Sequence, residues 1–341
     1  MLFNQYTHMD NDYKILKCDL VQEILSDKSL EFVAMEKIHG TNFSFVSDGN
    51  KVNCCRRSDI LGPDENFYSY QTILDKYISN VIELFEKTAK LIKKKYNKEI
   101  IQIQLYGELY GGNYPGIEKK HCSKMVQKGI YYSNSNEFAA FDLKYWTTLD
   151  DKEKPQYLDW NDFVPLLNYT SIPIVPVILQ GSWADVSNLN PKFESVVYLT
   201  HGLPKLPSNY AEGYVIKHVK EIRFGVNSDR LIWKFKNPNF SEISKNSSTK
   251  SNKSNNQLVN PLVSRLETYI CETRYDNVIT KVVENTSVDK VVELFYNDVW
   301  IDFTDDLVLD SISLNDVDKK ELEKKLKGFA NKFVRTRYSS K

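Results

Sequence analysis

The sequence lacks an excess of either charge, a long apolar run and a set of paired cysteines. Lysine plus arginine and aspartate plus glutamate number 45 each among 341 residues, so no overall positive field indicates a polyanionic partner. No run of about 18 apolar residues is long enough to cross a membrane, and the first ten residues show neither the basic flank nor the apolar core of a signal peptide. We therefore expect a soluble, unsecreted protein with no membrane partner.

The five cysteines argue against a disulfide framework and a zinc centre. Their number is odd and no CxxC pair occurs, and the adjacent Cys54 and Cys55 would form a bridge only with strain. We therefore expect reduced thiols and no zinc site.

Length and apolar patterning predict two domains and an α+β fold. A chain of 341 residues is long enough for two cores. Segments rich in β-branched and aromatic residues favour strands, and they lie at 30–35, 42–46, 100–106, 137–146, 213–219 and 230–236. Between them, apolar residues recur at helical spacing from Ile73 to Ile92 and predict one long amphipathic helix on the sheet.

A polar segment separates these strands from a helical tail. Residues 245–256 read KNSSTKSNKSNN and predict a flexible linker between a domain at 1–244 and a domain at 257–341. Apolar spacing in the tail predicts three helical segments, at 258–270, around 279–283 and at 319–338. We therefore expect a small all-helical C-terminal domain.

Six segments taken together are typical of one kind of chemistry. They are EKIHGTNFSF at 36–45, RRSDIL at 56–61, LYGELYGG at 105–112, FAAFDL at 138–143, EGYVIK at 212–217 and WKFKN at 233–237. In this order they resemble nucleotidyl transferase motifs I, Ia, III, IIIa, IV and V of covalent ligases and capping enzymes. DNA ligases and capping enzymes usually carry aspartate where this chain has His39, so the chain is most similar to the RNA ligase 2 family, which includes phage RNA ligase and the kinetoplastid RNA-editing ligases.

The resemblance spans nearly the whole chain and implies a fold, cofactors and a reaction. It implies an adenylyltransferase domain of antiparallel sheets with helices, followed by the helical domain. It also implies ATP with Mg²⁺ or Mn²⁺ as cofactors, and duplex or nicked RNA as the partner of a monomer. AMP would pass from ATP to Lys37 and then to a 5′-phosphate RNA end, and a 3′-hydroxyl would displace it.

Lys37 is the predicted nucleophile. A free lysine titrates near about 10.4, whereas attack on the α-phosphate of ATP needs the unprotonated amine. Burial and neighbouring cations disfavour the ammonium form, and Lys234 and Lys236 are candidates for those cations. Alternation along a strand puts both lysines on one face and Phe235 on the other. An ordinary amphipathic edge strand has the same pattern.

Two glutamates are the candidate ligands of a divalent metal. Glu108 and Glu212 each lie beside a glycine at a strand end, where a carboxylate can reach a ribose hydroxyl or a metal. The resemblance implies that Glu108 holds the ribose and that Glu212 serves the metal-dependent steps. A pair of exposed strand-end acids fits the same sequence.

The resemblance also assigns residues to the adenine and its surroundings. Phe141 would stack on the base, a contact worth about 1–3 kcal/mol, with Asp142 in a supporting role. Asn42 belongs to the same predicted nucleotide site, and the backbones of Glu36 and Ile38 resemble the groups that read the adenine edge. An alternating FAAFDL strand also buries phenylalanines in a core.

Three further residues near the lysine have open roles. Arg57 matches the phosphate-binding arginine of motif Ia, because a guanidinium pairs well with phosphate, but adjacent arginines can also be solvated charge. His39 either shapes the lysine turn or contacts phosphate. Met35 departs from the family, since the phage enzyme has arginine there, so sealing would rely on other groups.

Several alternatives remain at this point. A DNA ligase or guanylyltransferase shares most motifs, although His39 and the helical tail argue against both. A non-catalytic RNA-binding relative would be expected to lose such residues as Lys37 and Glu212 first.

We expect a cytoplasmic location, with a mitochondrial one as the alternative, because no arginine-rich presequence is evident. The basic residues of the tail form either an RNA-binding face or a solvated helix surface; they are Lys324, Lys325, Lys327, Lys332, Arg335 and Arg337.

Overall fold

The fold was analysed in a computed structural model that describes residues 1–7, 9–11, 18–148, 154–225, 228–240, 259–283, 286–309, 314 and 316–338. The chain forms two compact units, Met1–Asn237 and Pro238–Lys341. The predicted linker falls largely among residues outside the described ranges and stays a prediction. All five cysteines are free thiols. Across the described ranges, no helix is both long enough and apolar enough to span a membrane.

Strands and helices are numbered in chain order. The strands are β1 (Asp10–Asn11), β2 (Phe32–Glu36), β3 (Thr41–Ser47), β4 (Val52–Arg56), β5 (Gln102–Gly111), β6 (Asn136–Trp146), β7 (Gln156–Tyr157), β8 (Val177–Gly181), β9 (Gly213–His218), β10 (Arg223–Phe224), β11 (Asp229–Arg230) and β12 (Ile232–Lys236). The helices are α1 (Asp19–Leu25), α2 (Tyr70–Tyr96), α3 (Trp160–Leu167), α4 (Trp183–Ser187), α5 (Val259–Thr268), α6 (Glu272–Ile279), α7 (Val288–Leu309) and α8 (Asp316–Tyr338). The mixture confirms the predicted α+β class.

Two five-stranded sheets build the first unit. Their strand orders are β1-β12-β9-β2-β8 and β4-β3-β5-β6-β7, and the pairs are antiparallel except for β1, which lies parallel to β12. The chain passes from the first sheet to the second through the turn at residues 37–40, between β2 and β3. Lys37 therefore lies where the two sheets join.

Helix α2 confirms the long amphipathic helix that the sequence predicts. Its buried side chains include Ile73, Tyr77 and Ile92, and the Tyr77 ring lies 6.3 Å from the ring of Phe138 on β6. At the C-terminal end of the helix, Lys95 Nζ lies 2.5 Å from a carboxylate oxygen of Asp162. The basic last turn of the helix, with Lys93, Lys94 and Lys95, thus carries a surface ion pair, and its positive charges interact favourably with the negative end of the helix dipole.

The six predicted strands correspond to β2, β3, β5, β6, β9 and β12, but several elements were missed. Strand β5 continues to Gly111, beyond the predicted end at 106, because the glycines there still pair with β6. Strand β8 was missed because it is short and largely exposed at a sheet edge, so it has no buried apolar pattern. Strand β4 carries only a mixed pattern of polar and cysteine residues.

Helices α5 to α8 pack around one apolar core in the second unit. Leu266, Phe295, Phe303 and Leu326 are each fully buried there. The described residues thus confirm the helical tail, and α8 matches the predicted segment at 319–338. The sequence analysis did not identify α7, whose acidic and apolar residues alternate too irregularly to give a clear single apolar stripe.

Gly213 yields a stability prediction for the first unit. Its φ is +143°, and a Cβ atom there would lie 1.9 Å from the Phe235 carbonyl oxygen on the neighbouring strand. We expect Gly213→Ala to lower the free energy of unfolding by at least about 1–3 kcal/mol, from backbone strain alone. Urea unfolding followed by tryptophan fluorescence would measure the change. Gly62→Ala is the matched control, because its nearest contact would be an ordinary 3.7 Å; equal effects of the two substitutions would contradict this prediction.

Candidate active site

Backbone hydrogen bonds to two other segments hold the start of the turn that carries Lys37. Glu36 N donates to the Pro176 carbonyl at 2.8 Å, and Lys37 N donates to the Gly213 carbonyl at 2.9 Å. A Cβ atom at Gly40 would lie 2.2 Å from the Leu109 carbonyl oxygen, so only glycine allows the turn to lie this close to β5. Glycine at position 40 is thus a requirement of the close packing of this turn against β5.

Glu212 is the centre of the charged cluster. Its carboxylate lies 2.7 Å from Lys37 Nζ, 3.3 Å from His39 Nδ1 and 3.5 Å from Lys236 Nζ. The Glu212 side chain is only 3% exposed, whereas the Lys37 side chain keeps 19% of its surface accessible. The predicted nucleophile is therefore reachable from solvent, and the anion beside it is not.

The surrounding cations keep Glu212 ionised despite its burial. Burial alone would raise the pKa of this carboxyl, but the charges of Lys37, Lys236 and His39 together hold the pKa well below its usual range. The site therefore contains a permanent buried negative charge, balanced by basic groups from the lysine turn and from β12.

Glu108 lies on the adjoining sheet and behaves differently from Glu212. It sits opposite Asn42 in the pairing of β5 with β3, so the two side chains share one face of the sheet. Burial raises the pKa of Glu108 to about 8, with the charge of Glu212 adding to the rise while Lys37 and Arg57 oppose it. Glu108 and Glu212 therefore interact, as two carboxylates around one site do.

The two adjacent arginines have different surroundings. Arg56 forms ion pairs with Glu65 and Asp59, each with a closest distance of 2.5 Å. The charge of Arg57 instead acts on Glu108. The arginine that the resemblance selected is thus the one whose charge reaches the candidate site.

Strand β12 alternates as predicted. The Phe235 ring stacks on Tyr214 with centroids 4.7 Å apart and planes 11° from parallel, and both rings belong to the apolar cluster of the first sheet. Lys236 points away from this cluster and reaches Glu212. Lys234, two residues earlier, is on the same face of the strand as Lys236.

The two phenylalanines of the FAAFDL segment are separated by the structure. Phe138 is fully buried and packs edge-on against Phe45, with centroids 5.1 Å apart. Phe141 is half-buried and contacts the Tyr6 ring at 4.9 Å. Phe138 therefore belongs to the core, and Phe141 keeps surface available for a planar ligand.

Asp142 is held in a second buried ion network. Its carboxylate accepts hydrogen bonds from Tyr6 at 2.8 Å, Arg230 at 2.8 Å and Lys217 at 3.1 Å. The Asp142 side chain is fully buried, and although burial raises its pKa, the charges of Arg230 and Lys217 lower it below the usual value. The supporting role predicted for Asp142 would thus act through Tyr6, Lys217 and Arg230, none of which was predicted as a site residue.

The two residues that flank Lys37 are buried. Ile38 is 3% exposed and Glu36 is 2% exposed. One carboxylate oxygen of Glu36 accepts a hydrogen bond from Val196 N at 3.1 Å, and the other has no partner among the described residues. Burial raises the pKa of Glu36 to about 7, against the lowering effect of its bonds to Ser195 and Val196.

Tyr132 is a further residue that the sequence analysis did not predict, and it bonds the lysine turn directly. Its hydroxyl accepts a hydrogen bond from His39 N at 2.8 Å. The tyrosine lies in none of the six motifs and is 93 positions from His39. A sequence with 21 tyrosines carries no signal that would single this one out.

Comparison with known proteins follows the same division of the chain. The sequence model of the family described as RNA ligase matches residues 30–236. The chain belongs to the RNA ligase family. A second family model, described as T4 RNA ligase 2 C-terminal, matches residues 253–332. These matches confirm the family resemblance and the enzyme class that the motifs predicted.

Two relatives and one solved structure show the degree of similarity. RNA-editing ligase 2, mitochondrial, of Trypanosoma brucei brucei is 25% identical over 383 residues, which cover 94% of this chain and 88% of the relative. RNA-editing ligase 1, mitochondrial, from the same organism is 30% identical over 217 residues, covering 56% of this chain and 45% of the relative. A structure of Naegleria gruberi RNA ligase with ATP and Mn has a TM-score of 0.41 at 15% identity, covering 69% of this chain and 56% of the other. This chain thus matches less than two thirds of the last two proteins.

The raised pKa of Glu36 predicts how stability depends on pH. In the folded protein Glu36 keeps its proton until about pH 7, against an ordinary value of 4.5. The contribution of Glu36 to the free energy of unfolding is therefore complete below pH 4.5. It is lost as the pH rises through 7, because folding disfavours the ionised carboxylate. Relative to Glu36→Gln, we expect the wild type to lose up to about 1.4 kcal/mol per pH unit in that window. Urea unfolding from pH 4.5 to 8 would measure the difference, and a constant difference would refute the prediction.

Proposed function

We propose that this chain is an ATP-dependent RNA ligase that joins a 3′-hydroxyl to a 5′-phosphate, at nicks in duplex RNA, through a lysyl-AMP and an RNA-adenylate. The observation that carries the proposal is the cluster of Lys37, His39 and Lys236 around the buried Glu212 carboxylate. A partly exposed amine in such a cluster has both access to a ligand and cationic neighbours for its phosphates.

The reaction needs three displacements at phosphorus. Lys37 Nζ, after losing a proton to solvent, bonds to the α-phosphorus of ATP as the bond to pyrophosphate breaks. An oxygen of the RNA 5′-phosphate then attacks the same phosphorus and releases the lysine. Finally the 3′-hydroxyl oxygen attacks the RNA phosphorus, loses its proton and expels AMP.

The ion pair with Glu212 has a consequence for the first step. The carboxylate holds Lys37 Nζ in an ion pair at 2.7 Å, whereas attack on phosphorus needs an amine with a free lone pair. The amine must leave this partner before it attacks. We propose that Lys236, which also contacts Glu212, keeps that carboxylate neutralised while Lys37 moves, and that Lys234 binds phosphate oxygens.

The two carboxylates fit a divalent cation shared with phosphate. Glu212 is ionised, and its charge raises the pKa of Glu108, so a cation between them would relieve that repulsion. Among the described residues no set of three or more His, Cys, Asp or Glu side chains could hold a metal. Mg²⁺ commonly takes one or two carboxylates and completes its shell with phosphate oxygens and water. When bound, Mg²⁺ or Mn²⁺ would stabilise charge on the reacting phosphate.

The remaining candidate residues are assigned to the other parts of the nucleotide. We propose that Glu108 and Asn42 hold the ribose side, that Arg57 meets a phosphate, and that the exposed part of Phe141 stacks on adenine. Asp142 would support this surface from behind, through its bond to Tyr6, whose ring contacts Phe141.

Substitution of Lys37 tests the proposed chemistry. We expect the wild type, incubated with ATP and Mg²⁺, to gain the mass of one AMP, and Lys37→Ala to gain none because the only proposed acceptor nitrogen is gone. Intact-protein mass spectrometry would measure both. Lys51→Ala, an exposed lysine in the same unit, is the control and should keep the adduct. Wild-type protein that carries no AMP at the start and acquires none would refute the ligase proposal.

The second unit is proposed to engage the RNA. Among the six basic residues predicted for this role, Arg335 and Arg337 pair with the carboxylates of Asp289 and Glu272. Lys324 and Lys327 are exposed on α8, and Lys327 Nζ lies 5.7 Å from the centre of the Tyr296 ring. A helical spacing of three places these two lysines on one face, and phosphate contacts by lysine are worth most where no acidic partner competes. We therefore restrict the proposed RNA-binding face to the part of α8 that carries Lys324, Lys325, Lys327 and Lys332.

Removal of the two lysines should separate RNA engagement from adenylate formation. We expect Lys324→Ala combined with Lys327→Ala to leave lysyl-AMP formation intact. It should weaken binding to nicked duplex RNA and reduce the slope of log affinity against log salt by about 1–2, since two phosphate contacts are lost. Titration of labelled RNA at several salt concentrations would measure this. Lys290→Ala is the control, because Lys290 is exposed but pairs with Glu293 at 3.0 Å; an unchanged slope in the double variant would exclude this face.

Family relatives bear on the substrate and compartment. Both trypanosome relatives are named as RNA-editing ligases, which favours RNA over DNA as the joined strand. They are also named as mitochondrial, so the predicted cytoplasmic location stays a prediction beside the mitochondrial alternative. A monomeric state is likewise retained as a prediction.

A further inference from the structure

Side chains as well as backbone carbonyls accept hydrogen bonds from the amides of the lysine turn. Glu36 N and Lys37 N donate to backbone carbonyls of other segments. His39 N donates to the hydroxyl of Tyr132 at 2.8 Å, and Gly40 N donates to the carboxylate of Glu108. The bond to Tyr132 can be removed by a substitution that leaves the backbone and the charges of the site unchanged.

The Tyr132 hydroxyl is held in place by its own surroundings. The ring is fully buried and packs edge-on against Tyr110, with centroids 5.4 Å apart and planes at 77°. On the preceding residue, Tyr131 N donates to Asn209 at 2.9 Å and the Tyr131 carbonyl accepts from Asn209 at 2.7 Å. Tyr132 therefore has little freedom to shift its hydroxyl, and it can act as a fixed acceptor.

The hydroxyl also lies within reach of the charges of the site. Burial raises the pKa of Tyr132 well above the ordinary value, and the carboxylates of Glu36, Glu212 and Glu108 raise it further, against the lowering effect of the bond from His39. The group therefore keeps its proton beyond the pH at which an ordinary tyrosine ionises, and as a neutral hydroxyl it accepts the hydrogen bond from His39 N.

We propose that Tyr132 is a positioning residue for lysine adenylylation, fixing the turn at 37–40 so that Lys37 and His39 both face Glu212. The argument rests on the proposed function, because it assigns Lys37 as the nucleophile. Without the hydroxyl, the buried amide of His39 loses its bond to Tyr132, and replacing that bond with one to water would require the turn to open. Only the fraction of molecules with the turn closed would then present Lys37 correctly.

Tyr132→Phe removes the hydroxyl and keeps the ring. We expect the single-turnover rate of lysyl-AMP formation at saturating ATP to fall by roughly tenfold to a hundredfold, which corresponds to the usual cost of a buried donor without a partner. The apparent KM for ATP should stay within about twofold, because the hydroxyl does not contact the nucleotide in this proposal. Intact mass against time of mixing gives both quantities.

Tyr110→Phe is the matched control. Tyr110 is equally buried and packs on Tyr132, and the substitution removes its hydrogen bonds with His201, at 3.1 Å, and with Thr200. We expect this variant to react at the wild-type rate and to have a melting temperature similar to that of Tyr132→Phe. An equal loss of rate in both variants, an unchanged rate in Tyr132→Phe, or a change confined to KM would each overturn the proposal.

A measurement on the wild type covers the case in which the variant does not fold. Amide hydrogen exchange followed by NMR should show His39 protected to the same degree as Lys37, since both amides are bonded. Rapid exchange at His39 beside a protected Lys37 would overturn the proposal. If the wild type itself formed no adduct, the ligase proposal would fail and this inference with it; a wild-type adduct with an unaffected Tyr132→Phe would overturn this inference alone.

Discussion

The buried carboxylate of Glu212 is the constraint on which the candidate site depends. A negative charge at 3% exposure is tolerable only beside several cations, because the energy of an isolated buried ion is prohibitive. The cations come from two places, Lys37 in the turn between β2 and β3 and Lys236 on β12, and the His39 ring of the same turn also contacts the carboxylate. The sheet and the turn must therefore meet in one arrangement for Glu212 to be satisfied.

Buried ion pairs of this kind are weak contributors to stability, since desolvation offsets most of the attraction. Their role here is to fix the positions of side chains. Glu212 directs the Lys37 amine toward the point where the two sheets join, and Gly40 and Gly213 allow the backbones to approach closely enough. The ion pairs of Asp142 with Arg230 and Lys217 likewise fix the position of β6, the strand that carries Phe141. Glu212 and Asp142 are thus two buried anions that each hold neighbouring segments together.

The second unit adds a different kind of surface. Its core is apolar, and the exposed lysines of α8 lie outside that core. The chain as a whole has no net charge, so local segregation of lysines is the route by which it can attract a polyanion. Family matches divide the chain in the same way, with an RNA ligase segment at 30–236 and a T4 RNA ligase 2 C-terminal segment at 253–332.

The sequence by itself determined the α+β class, the helical tail and the long helix α2, because strand alternation and helical spacing are local properties. The order of its motifs, compared with a known family, selected Lys37, Glu108, Glu212 and Lys236, together with Phe141 and Arg57, as candidate site residues. Only the tertiary structure showed that Phe141 is less buried than Phe138, that the charge of Arg57 acts on Glu108, and that Tyr132 bonds the lysine turn. Each of these depends on residues far apart in the chain, Tyr132 and His39 being 93 positions apart. A linear pattern carries no record of such contacts, since they arise only when the two sheets pack together.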